Sequence, residues 1–212
     1  AAAYYADSDS LTIAGSDSNP PTTQSTFNAL LFNPDGTKMY TLGSSDGYYK
    51  GLFQYTLTTP FDVSTASVSA NDYIEVGEWS SGNEDVRFSN DGTKLFVLFD
   101  AMNQNQRSRI YQYTLSVPYD ITSTVTTAGE SLRIGDLSDD FRSFLFNDDG
   151  SKMFVSRYSS IYEYTLSTSF DPSTASSADT SWFAHHNSYG FSNYGSYSAI
   201  TGMQYNLSLI HI

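Results

Sequence analysis

Twenty-three carboxylates, three histidines and no cysteine bound the chemistry open to this 212-residue chain. Without cysteine, disulfides and thiolate metal sites are excluded. His185-His186 is the one histidine pair upstream of the C-terminal tail. Adjacent residues on a strand point to opposite faces, so a two-histidine metal site there needs a loop. No D-x-D-x-D-G calcium loop occurs. The carboxylates divide into two groups. Asp35, Asp91 and Asp149 each precede a glycine, and Asp62, Asp120 and Asp171 each precede a Ser/Thr-rich turn. Both triplets read as side chains that cap their own turns, and this explains their recurrence more simply than calcium does. Asp46, Glu84, Asp85, Asp100, Asp139 and Asp140 lie in segments that do not recur. Such an oxygen-rich group suits Ca²⁺, the one metal it suggests, or is simply a solvated acidic rim. No cofactor is otherwise indicated, and paired carboxylates for glycoside cleavage remain available in kind.

Aromatic residues outside the strand-like stretches carry a second chemistry. Tyr48, Tyr49, Tyr189, Phe191, Tyr194 and Tyr197 sit among Gly, Ser and Asn. That mixture gives flat amphipathic rings at low entropic cost, as in adaptable recognition surfaces, or else rings that anchor loops. The contact residues expected from this are Tyr48, Tyr49, Trp79, Arg107, Arg109 and Tyr194.

These residues must be held by a scaffold, and the scaffold is written in a repeat. The phrases FNPDGTKMY (Phe32–Tyr40), FSNDGTKLF (Phe88–Phe96) and FNDDGSKMF (Phe146–Phe154) recur at intervals of 56 and 58 residues. Each is followed by LFQYTL, IYQYTL or IYEYTL, and then by PFDVSTAS, PYDITSTV or SFDPSTAS. A fourth phrase closes each unit, from Tyr73, Leu132 and Thr180. Four phrases imply four strands, with an Asp-Gly turn between the first two. Alternation in the third strand sets Phe53, Tyr55 and Leu57 on one side and Leu52 and Gln54 on the other. The expected organisation is a single repeat domain over residues 1–206. It has a partial unit at 1–26, units at about 27–80, 81–138 and 139–184, and the start of another at 185–206. Residues 207–212 break the pattern and read as a non-native tail, so His211 carries no weight.

Four-stranded antiparallel units with a period of about 57 residues point to an all-β, β-propeller-like fold, partial or open. A β-solenoid is the alternative. The F-x-x-DGTK-x-aromatic phrase resembles the turn signature of WD-like bacterial propellers. The QYTL…PFD-x-STAS phrases resemble a repeat family common in environmental bacterial and phage-type reading frames. That resemblance implies fold and no particular activity. In such a unit the turn after the first strand and the connection after the third share one end. The segments that differ between units share the other, where binding is expected.

The net charge of −13 disfavours nucleic acid and anionic membranes. No apolar run is long enough to span a bilayer, and no signal peptide is visible at the start. The functional expectation is a non-enzymatic binding or scaffold module, extracellular, at the cell surface or on a virion, recognising glycan or protein through the variable loops. Other repeats of the same longer chain are possible partners. A polysaccharide-active hydrolase or lyase and a purely architectural surface or fibre repeat are the alternatives.

Overall fold

The computed structural model describes residues 26–45, 49–67, 72–76, 81–101, 108–123, 125–134, 141–157, 160–176 and 180–183. Among them there is no α-helix; the chain is all-β with antiparallel pairing throughout. The first sheet holds β1 (Thr26–Phe32), β2 (Lys38–Ser45), β3 (Tyr49–Leu57), β4 (Ala66–Ser67) and β5 (Tyr73–Glu75), the last two both pairing with β3. The second runs β6 (Ser81–Phe88), β7 (Lys94–Ala101), β8 (Ser108–Leu115) and β9 (Val125–Ile134). The third runs β10 (Phe141–Phe146), β11 (Lys152–Arg157), β12 (Ser160–Thr165) and β13 (Thr180–Phe183).

The recurring phrases form one lock, made three times. Gly36, Gly92 and Gly150 have φ of 71°, 71° and 68°, a region that costs a residue with a Cβ. Asp35, Asp91 and Asp149 accept the backbone N–H two residues on, at Thr37, Thr93 and Ser151, 2.8–3.0 Å away. Asp62, Asp120 and Asp171 do the same for Ser64, Thr122 and Ser173. Both carboxylate triplets are therefore turn caps. The two turns then dock on each other. The N–H of Phe61, Tyr119 and Phe170 donates to the carbonyl of Gly36, Gly92 and Gly150 at 2.9 Å. These aromatics themselves take positive φ, between 51° and 59°. Each ring lies over its glycine so closely that a Cβ there would come within 2.2–2.3 Å of ring carbons. Glycine is thus required for its φ and for its missing side chain.

The sheets stack face to face. Tyr40, Leu42 and Leu52 of the first meet Val86, Leu95, Val97, Phe99, Tyr113 and Leu115 of the second, all buried. Phe96, Leu98, Ile110 and Ile134 of the second meet Phe141, Phe144, Met153, Val155, Tyr164 and Leu166 of the third. Phe53, Tyr55 and Leu57 share a separate cluster with Met39 on the first sheet's other face. This is the alternation expected of the third strand: Leu52 packs on the second sheet, while Phe53, Tyr55 and Leu57 are buried on the opposite face. One detail departs from expectation. The Ser/Thr-rich connection is not simply a link, since Ala66–Ser67 pairs with β3, and in the second sheet β9 begins at Val125 and runs on as one ten-residue strand.

Gly92→Ala should lower the unfolding free energy by roughly 2–3 kcal/mol in urea denaturation, from a side chain forced into left-handed backbone and against the Tyr119 ring. The cost should shrink when Tyr119→Ala is already present, because the ring contact is then gone.

Candidate functional site

The strands that meet between sheets are the first of each: β1 packs beside β6, and β6 beside β10. Each carries a register shift near its start, between Phe27 and Ala29, Asn83 and Asp85, and Phe141 and Ser143. One residue is left over in each bulge: Asn28, Glu84 and Arg142. They are 56 and 58 residues apart, in step with the repeat. The scaffold keeps the bulge and changes its side chain from amide to carboxylate to guanidinium. Bulges re-aim side chains and concentrate beside active sites. All three lie at the end of the sheets where β2 runs into β3, β7 into β8 and β11 into β12, the end expected to carry the variable segments.

Beneath the second and third bulges lies a polar network. Asp85 is 4% exposed. Its Oδ2 accepts from Ser143 Oγ at 2.6 Å, Phe144 N at 3.1 Å and Arg87 Nη2 at 2.9 Å, while Oδ1 accepts from Val86 N. Arg87 Nε donates in turn to the Phe144 carbonyl at 3.0 Å. Burial pushes the Asp85 carboxyl above the usual carboxylate range, against the pull of Arg87, Ser143 and the two backbone amides. The expectation that Asp85 belongs to a solvated rim is corrected here: it is a buried tie between the sheets. Recurrence could not signal this, because the same position is Ala29 in the first unit and Ser143 in the third.

Of the expected contact residues, Arg109 is the one whose side chain is described. It is the second residue of β8, half-buried, and donates from Nη1 to the Tyr111 hydroxyl at 3.1 Å. Arg157, at the end of β11, makes the matching bond to Tyr162 at 3.3 Å. Two arginines from different rungs thus reach the equivalent tyrosine of successive sheets. Tyr49 begins β3 opposite Ser45. Tyr48, Trp79, Arg107 and Tyr194 lie outside the described residues, as do Asp46, Asp139, Asp140 and the His185-His186 pair. Asn28 and Arg142 went unmarked in the sequence; the signal that finds them is a polar residue of changing type four positions before each anchoring phenylalanine. Among the described residues no group of three or more His, Asp or Glu side chains is placed to hold a metal ion.

No family model and no curated protein matches the chain. Solved structures do. A candidate 6-phosphogluconolactonase from Bacteroides fragilis superposes with a TM-score of 0.51 at 15% identity, over 73% of this chain and 38% of that one. A second, from Bacteroides uniformis, gives 0.47 at 16% identity over 65% and 35%. The periplasmic gluconolactonase of Pseudomonas aeruginosa gives 0.47 at 10% identity over 66% and 37%. The chain therefore spans little more than a third of the length of the proteins it resembles. The first of these likenesses defines the fold as propeller-like. The same likeness corrects the expectation of a non-enzymatic binding or scaffold module, because that protein is described as a candidate 6-phosphogluconolactonase.

Two measurements probe the network. Asp85→Asn should cost roughly 1–3 kcal/mol in denaturant unfolding, since its amide nitrogen cannot accept the bonds that a carboxylate oxygen accepts there, and Ser143→Ala about 1 kcal/mol, with strong non-additivity in the double variant.

Proposed function

We propose that the three sheets are blades of a β-propeller with a repeat of about 57 residues, and that the protein is a hydrolase acting on a sugar lactone at the bulged end of the first strands. The observation that supports the reading is the threefold bulge on the strands that meet between sheets. In a propeller these strands line the central axis, so the backbone bulges at positions 28, 84 and 142 stand around its mouth. The side-chain types suit ring opening of a lactone. A carboxylate at Glu84 takes a proton from the attacking water. A guanidinium at Arg142 stabilises the negative charge that develops on the carbonyl oxygen and then pairs with the product carboxylate. The amide of Asn28 supplies a donor and an acceptor for sugar hydroxyls.

Charge favours an uncharged sugar lactone over a phosphorylated one. The chain carries −13 with ten Lys and Arg in all. Three of the four lysines follow the Asp-Gly turns, at the opposite end of the sheets. The net charge therefore opposes a phosphate at long range, against the local pull of Arg109, Arg142 and Arg157 at this end. The kinship proposed for the repeats remains the environmental bacterial and phage-type propeller group.

The test is proton release from glucono-δ-lactone in a pH-stat. The protein should accelerate hydrolysis above the spontaneous rate, and Glu84→Gln should remove about a hundredfold of the rate enhancement with little change in the melting temperature. A rate equal to the spontaneous one at all protein concentrations would discard the lactonase reading.

A further inference from the structure

The Asp85–Arg87 pair grips the same backbone groups on two neighbouring strands. On its own strand, Asp85 Oδ1 accepts from the Val86 N–H at 2.9 Å and Arg87 Nη1 donates to the Val86 carbonyl at 3.2 Å. On the next sheet, Asp85 Oδ2 accepts from the Phe144 N–H at 3.1 Å and Arg87 Nε donates to the Phe144 carbonyl at 3.0 Å. Val86 and Phe144 hold the same place in the repeat, and both are fully buried. In an antiparallel ladder every second residue turns its N–H and its carbonyl away from the partner strand. The groups of Val86 and Phe144 that the pair holds are of this kind, on the edges of β6 and β10 that face away from β7 and β11. The two side chains stand in for a rung of ladder between these edges, and their own contact at 2.9 Å closes it.

The repeat offers this rung three times and fills it differently each time. Asp85 and Arg87 correspond to Ala29 and Leu31 in the first sheet and to Ser143 and Leu145 in the third. Ala29 and Leu31 give the junction of the first and second sheets apolar packing against the cluster that holds Val86. First strands therefore pack side by side without a carboxylate and a guanidinium between them. A buried ion pair is also weak support for stability, because desolvation offsets much of its attraction. A fully satisfied polar network supplies something else, a single fixed arrangement of the groups it joins.

What is fixed follows from where the network sits. Asp85 directly follows the bulged position 84. Ser143 directly follows the bulged position 142, and its Oγ donates to Asp85 Oδ2 at 2.6 Å. One carboxylate oxygen thus joins the residues next to two bulges on different sheets.

We infer that Asp85, braced by Arg87, is a positioning residue that sets the distance between positions 84 and 142, and so between the carboxylate and the guanidinium that act on the lactone. The chemistry of this inference rests on the lactonase reading, and its geometry does not. A base and an oxyanion donor carried on separate sheets need such a tie, because a misplacement of about 1 Å can cost on the order of a hundredfold in rate. The site is then a joint property of the second and third sheets, set by a residue that touches no substrate.

Two readouts test it, one of geometry and one of rate. The chain has no cysteine, so nitroxide labels on Glu84→Cys and Arg142→Cys report those two positions and no others. Dipolar electron paramagnetic resonance should give a narrow label-to-label distance distribution, which Asp85→Asn broadens. Ser143→Ala, the milder change, should broaden it less. In the unlabelled chain Asp85→Asn should lower kcat for glucono-δ-lactone about tenfold or more with KM little changed. In a Glu84→Gln background the same change should cost far less, since the group it positions is already lost. Gly92→Ala, which weakens the same sheet at its other end, should lower the melting temperature and leave both readouts unchanged. An unchanged distance distribution in Asp85→Asn, an unchanged kcat, or an equal loss of kcat in Gly92→Ala would each overturn the proposal. A wild-type rate equal to the spontaneous one would overturn the lactonase reading instead, and the label distances then decide the positioning role by themselves.

Discussion

The structure depends on an aromatic ring laid on a glycine. In each unit the connection after the third strand folds back. It places Phe61, Tyr119 or Phe170 over the glycine that ends the first hairpin turn. The aromatic adopts a left-handed backbone that disfavours any side chain, at a cost of order 1–3 kcal/mol. Several contacts offset that cost together. They are the bond from the aromatic's N–H to the glycine carbonyl, the ring contact with Phe32, Phe88 or Phe146 at 5.3–5.6 Å, and the capping of the following turn by the next aspartate. Tyr119 adds a bond from its hydroxyl to the Asn90 carbonyl. Neither phrase of the repeat makes sense alone. The glycine needs the ring's flatness, and the ring needs the glycine's vacancy.

This lock also builds the contact between sheets. Once the connection is pinned, its backbone and its aspartate face the preceding sheet. There they meet the lysine, the ring and the glutamine of that sheet. Asp120 shows the balance of forces: burial alone would raise its carboxyl, yet the bonds from Thr122 and Lys38 prevail and hold it at about 2. A carboxyl depressed in this way stabilises the fold above its unfolded value near 3.9. The contribution is lost as the pH falls through about 2. Asp85 has the opposite sign. Its carboxyl is raised, so its contribution is present in acid and fades as the pH rises through the folded value. It is retained because four donors and the Arg87 charge surround it, and it ties β6 to β10 where no lysine does.

Function follows from where the repeat lets go. At the locked end the three units are nearly interchangeable, since their aspartates cap the turns and Lys38 and Lys94 reach the next sheet. At the other end the backbone still repeats, down to the bulge, but the bulged residue becomes an amide, a carboxylate and a guanidinium in turn. A scaffold that holds geometry constant while chemistry changes is suited to carrying a site.

The order of strands, the antiparallel hairpins, the capping aspartates and the division of faces in β3 were all legible in the chain. They rest on interactions within a few residues of one another, and such interactions leave a residue-by-residue imprint that the repeat amplifies. The ring-on-glycine contact was legible as two separate phrases but not as one object, because twenty-five residues separate Gly36 from Phe61. The three bulges and the burial of Asp85 were not legible. A bulge is settled by pairing across strands, and whether a carboxylate meets water or an arginine from its own strand and a serine from the next sheet is decided when the sheets stack. Composition and local spacing thus determined what the units are, while only the tertiary packing decided which polar residues are spent on holding those units together and which are left to do chemistry.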